Sequence, residues 1–89
     1  MTPEKVLEVV AKYEVLLVAY PIQQIVQYAE HPSKEEHLSH LRWMLVEMRQ
    51  LIAGQRMEKA FRWLGYIQGI LAAYRLRTID QLREDSRPP

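Results

Sequence analysis

SKEEHLSHLRWMLVEMRQLIAG, residues 33–54, is the stretch that decides the fold. Ser33 and Glu36 stand three apart, the spacing at which a serine hydroxyl and a glutamate carboxylate satisfy each other's free backbone amides at a helix start. Leu38, Leu41, Leu45, Met48 and Ile52 then step by three, four, three and four, which makes an apolar seam of the kind that packs helices side by side. Gly54 is expected to close this helix with a left-handed backbone angle.

Upstream, Thr2, Pro3 and Glu4 are suited to the N-cap, first position and first turn of another helix. Val6, Val10, Tyr13 and Leu17, flanked by Val9, Leu16 and Tyr20, paint one face at helical period. Pro21 removes a backbone donor and disfavours helical geometry at Tyr20. Because Ile22, Ile25, Val26 and Ala29 restore the spacing, the reading is one long helix over about residues 3–29, bent at Pro21, with a break at His31-Pro32. Downstream, a third helix is expected over about residues 56–75, with Met57, Ala60, Phe61, Leu64, Ile67, Leu71 and Tyr74 on its apolar side. Thr78 and Gln81 form a second capping pair for a short helix through about Asp85. The fold class is therefore all-α: a helical hairpin with a third long helix and a short C-terminal helix. Residues 1–86 make one domain, and 87–89 form a frayed tail.

Composition narrows the function. None of the 89 residues is cysteine, so disulfide scaffolds, thiolate metal sites and cysteine nucleophiles are excluded. The longest apolar run, Val15 to Ile22, is far short of the roughly 20 residues that cross a bilayer, and a soluble cytoplasmic protein with no membrane partner is expected. Twelve basic against eleven acidic residues give +1, too little to hold long duplex DNA by bulk charge. The distribution is uneven. Arg42, Arg49, Arg56, Lys59, Arg62, Arg75 and Arg77 face only Glu47 and Glu58 over residues 42–77, and this arginine-rich bias favours an anionic partner.

The candidate binding residues lie in that segment. Arg62, Tyr66 and Gly69 share a helix face bordered by Gly65, and Lys59, Trp63, Gln68 and Arg56 lie close in sequence. Arginine holds phosphate, tyrosine and tryptophan stack on a base, glutamine bonds its edge, and glycine admits a ligand close to the helix. The alternative is solvated Arg62 and Lys59 beside Glu58, an interior Trp63, and glycines at a helix contact. Trp43, Trp63, Tyr66, Ile70, Leu51 and Val46 exceed what the seams use, so homo-oligomer contacts are expected at Trp43, His37, His40 and Leu51. His37 and His40 are one turn apart, as metal ligands are, but no other helix offers an inward carboxylate; no metal and no cofactor is expected. Ser33 and Thr78 are used as caps, and Ser39 points away from both histidines, so no catalytic relay is expected either.

Residues 61–71, FRWLGYIQGIL, followed by 78–88, TIDQLREDSRP, and preceded by HLSHLRWML at 37–45, resemble short helical proteins of phages and prophages. These share an Arg-Trp-Leu-Gly-aromatic-x-Gln-Gly core and a Thr-Ile-x-x-Leu-Arg tail. The resemblance implies glycine near the turn into the tail, where this chain has Arg75. In size, hairpin form and residue types the chain also resembles phage proteins that block CBASS or Thoeris immunity by trapping cyclic nucleotides between protomers. That likeness implies a non-enzymatic sponge in a bacterial host cell: a homo-oligomer that sequesters a small anionic nucleotide. The alternative is a protein-interaction module that inhibits or adapts a host protein through an aromatic and arginine surface.

Overall fold

The computed structural model describes residues 1–25 and 31–88, and these contain four helices and no strand. They are α1 (Pro3–Leu16), α2 (Lys34–Ala53), α3 (Met57–Ala73) and α4 (Ile79–Asp85). The caps sit where side-chain chemistry puts them. Thr2 accepts a hydrogen bond from the Lys5 amide, and complete capping boxes form at Ser33–Glu36 and Thr78–Gln81.

α2 is the central helix, packed against α3 on one side and α1 on the other. Its seam of Leu38, Leu41, Leu45, Met48 and Ile52 is buried, joined by Met44. α1 contributes Val6, Val9, Val10 and Tyr13, followed by Leu17, and α3 contributes Ala60, Leu64, Ile67 and Leu71. Phe61 departs from the expected apolar side of α3 and is 40% exposed. It stands next to Ala60 in sequence, about 100° around the helix from the buried row.

The long bent helix is not what forms among the described residues. α1 stops at Leu16, and the chain turns through Val18 N–H to Val15 O and Tyr20 N–H to Leu17 O. Pro21 explains the stop, since it lacks an amide proton and pushes Tyr20 out of helical geometry. Residues 21–25 are non-helical and lie along α2. Gln23 N–H reaches Ser39 O at 3.4 Å, Ile25 N–H reaches His40 Nδ1 at 3.0 Å, and Arg42 Nη1 donates to Tyr20 O at 2.6 Å. The remainder of the expected bent helix, at Val26 and Ala29, lies outside the described residues.

Helix ends bring a second correction. Gly54 has φ −83°, and the left-handed residue is its neighbour Gln55 at φ 59°. Gln55 N–H bonds Ile52 O and Arg56 N–H bonds Leu51 O, the paired closure in which the residue after the cap turns left-handed. α3 repeats it: Arg75 has φ 60°, its N–H bonds Ala72 O, and Leu76 N–H bonds Leu71 O. Arg75 thus takes the turn for which the resemblance implied glycine.

Candidate functional site

An open cleft of about 660 Å³ lies between α2 and α3, within the roughly 300–1,000 Å³ of small-ligand sites. Helical spacing builds two of its walls: His40, Trp43 and Met44 from α2, and Arg62, Trp63 and Tyr66 from α3. Gln24 and Ile25 supply the third wall, because the break at Pro21 lays their segment beside α2. The rings are arranged against each other. His40 stacks on Trp43 with centroids 5.5 Å apart, and Trp43 meets Trp63 at 5.9 Å, tilted by 38°. Both indoles are half-buried, so each keeps part of its surface outside the core.

Arg62 is the one Lys or Arg of this lining, and it is exposed. His40 is 8% exposed and accepts the Ile25 amide at Nδ1, so its neutral ring carries the proton on Nε2. Burial, and then the nearby charge of His37, hold its pKa below the usual histidine value. His37 lies between two tyrosines, with Tyr66 OH 2.8 Å from Nε2 and Tyr74 OH 3.4 Å from Nδ1. Its pKa is also lowered by burial.

A smaller groove of about 250 Å³ adjoins this cleft across Arg62, which lines both. Gln55, Arg56, Met57, Glu58 and Lys59 complete it, and Lys59 Nζ sits 5.4 Å from the Trp63 ring centroid. Arg56 is held there by position: it closes α2 through Leu51 and starts α3 by accepting from the Ala60 amide.

The structure therefore gathers Arg62, Trp63 and Tyr66 around one cleft and places Arg56 and Lys59 next to it. Gln68 does not join them. It is half-buried on another side of α3, donating to Tyr13 OH at 3.2 Å and Ser86 Oγ at 3.0 Å. Gly65 and Gly69 lie outside the cleft as well, and a Cβ at either would meet nothing within 4 Å among the described residues, which removes a helix contact between the described helices as their reason. Trp43 and His40, expected at protomer contacts, line the cleft of a single chain, and His37 is tied to its tyrosines. Leu51 packs half-buried against the core. Among the described residues no group of three or more His, Asp or Glu could hold a metal, and no helix is long and apolar enough to cross a membrane.

Sequence reasoning missed a second polar cluster. Asp85 is 1% exposed at the end of α4. It accepts from Tyr13 OH at 2.8 Å, Lys12 Nζ at 3.0 Å and Arg77 Nε at 3.1 Å, and also pairs with Arg77 Nη2. Burial alone raises its pKa, but the bonds from Arg77, Lys12 and Tyr13 outweigh that and leave it below the usual carboxylate value. Burial drives the Tyr13 phenol upward. One signal was available: Asp85 follows Leu82 by three residues, so it shares the inward face of α4. No known protein family, no curated protein and no solved structure matches the chain.

Proposed function

We propose that this chain is a non-enzymatic binding protein whose α2–α3 cleft captures a small anionic ligand with a flat ring, of nucleotide type. The observation that carries the reading is the convergence of Trp43, Trp63, Tyr66 and Arg62 on one open cleft. Half-buried indoles offer faces on which a base stacks, each such contact being worth about 1–3 kcal/mol. Arg62 supplies a planar fork for a phosphate at the rim. The Nε2 proton of His40 adds a donor for the ring edge.

With the resemblance to phage proteins, this makes the chain a sponge that sequesters a cyclic nucleotide immune signal in a bacterial host. The test is titration of the folded protein with nucleoside monophosphates and with cyclic di- and trinucleotides, followed by calorimetry and indole emission. The expected result is quenching together with heat of binding for at least one of them. Neither signal with any of them removes the reading.

Exposed apolar residues favour the self-association that belongs to the sponge reading, and also a second reading, a protein-interaction module. Val15, Val18 and Phe61 are 73%, 68% and 40% exposed. Light scattering decides on self-association: a mass above one chain that Phe61→Glu reduces supports it, and the mass of a single chain at every concentration rejects it.

A further inference from the structure

We propose that the aromatic cleft and the adjoining basic groove are one bipartite site, built for a ligand that carries a base and more than one phosphate. The inference rests on the cleft reading and extends it. Arg62 is a wall of both depressions, and Lys59 bridges them from the groove to the Trp63 ring. A ligand anchored by its base at Trp43 and Trp63 therefore has its phosphates directed past Arg62 towards Lys59 and Arg56.

The charge pattern supports this direction. Arg56, Lys59 and Arg62 recur every third residue, so they form a row along the first turns of α3. Among the described residues Lys5, Lys12, Arg49, Arg77, Arg83 and Arg87 have carboxylate partners within ion-pair range; the three cations of this row, like the separate Lys34, Arg42 and Arg75, do not. Glu58 is the single acid among the described residues of the groove, whose described side chains sum to about two positive charges. No side chain caps the start of α3, so its free amides add a weaker attraction for anions in the same place. One phosphate is matched by Arg62 alone. The rest of the row has a role only if the ligand continues.

Two ligand sources share this chemistry, a linear nucleoside polyphosphate and a cyclic oligonucleotide. Indole emission titrated with AMP, ADP, ATP and cyclic di-AMP, and with the guanine series if that quenches more, separates them. The dissociation constant is expected to fall at least tenfold from the monophosphate to ADP and ATP, or to the cyclic dinucleotide, and whichever falls further names the source. Inorganic tripolyphosphate should compete with that ligand. Arg56→Gln, at an exposed position, should cut the gain at least threefold with unchanged circular dichroism, and added salt should reduce the gain further. Equal affinity for mono- and polyphosphates, with the indoles still responding, overturns the extension and leaves the cleft standing. Indoles silent towards every nucleotide, with no heat of binding either, overturn both.

Discussion

Two polar regions of this small molecule are built on opposite principles. Around Asp85, each carboxylate oxygen accepts from two donors, and Lys12, Tyr13 and Arg77 converge on it from α1 and from the turn between α3 and α4. Gln68 and Ser86 extend the cluster. Around Arg62, the cations have no carboxylate in range among the described residues, and the rings are left half-open. Saturated polar groups inside a fold stabilise it, while unsaturated ones at its surface remain available to something else. The contrast separates a saturated structural cluster from the one proposed to bind a ligand.

The sharpest way to break the comparison is Asp85→Ala. It strands the buried Tyr13 hydroxyl and leaves Arg77 without its carboxylate, so the expected loss is about 3 kcal/mol in denaturant unfolding. Nucleotide binding at a temperature where the variant is folded should be unchanged. Arg62→Gln is the mirror experiment. At an exposed, unpaired position it should shift stability by no more than about 0.5 kcal/mol. Affinity should fall at least about tenfold, roughly 1.4 kcal/mol. If Arg62→Gln destabilised the fold and left binding intact, the two clusters would have been assigned the wrong way round.

The difference between the clusters also explains what the sequence made legible. The seam of α2, the three N-terminal caps and the α3 segment that bears Arg62, Trp63 and Tyr66 follow from spacing along one helix, which short-range rules read directly. Spacing to Leu82 puts Asp85 on the inward face of α4, but its partners Lys12 and Tyr13 lie more than 70 positions away, and nothing in local periodicity announces them. After Pro21, helical spacing does not mean helical continuity: the proline breaks the chain out of α1, and Gln24 and Ile25 wall the cleft instead. Gln68 shares its short sequence segment with the cleft residues and still points elsewhere, since one step along a helix rotates a side chain by about 100°.

Smaller effects sharpen the comparison at the helix ends and on the open side of α3. Gln55 and Arg75 adopt left-handed backbone that glycine takes without strain, so Gln55→Gly and Arg75→Gly are each expected to stabilise by up to about 1 kcal/mol. Conversely, Gly65 and Gly69 lie within α3 with open space where a Cβ would stand. Gly65→Ala and Gly69→Ala should each add about 1 kcal/mol in thermal or denaturant unfolding. A loss of stability at either glycine, if the protein self-associates, would mark a close approach between copies.

The least of the expected effects is a difference in pH response between the two regions. Folded Asp85, His37 and His40 all have pKa values below their unfolded ones, so each binds fewer protons in the native state and contributes stability that disappears as the pH falls. The windows differ. The histidine share is complete above the unfolded pKa of about 6.5 and is lost as acid carries the pH down through the folded values, whereas the Asp85 share persists to about 3.9 and is lost below it. Protonating His40 places a hydrogen on Nδ1, where the Ile25 amide already donates, so the segment that walls the cleft loses one of its ties to α2 before the Asp85 cluster is touched. Amide exchange at Ile25, corrected for intrinsic rates, should therefore accelerate once the pH has fallen below the ordinary histidine range, while the α4 amides stay protected until the carboxylate titrates. Loss of both in a single transition would show that the cleft wall and the Asp85 cluster open together, and the distinction between an adaptable region and a fixed one would no longer hold.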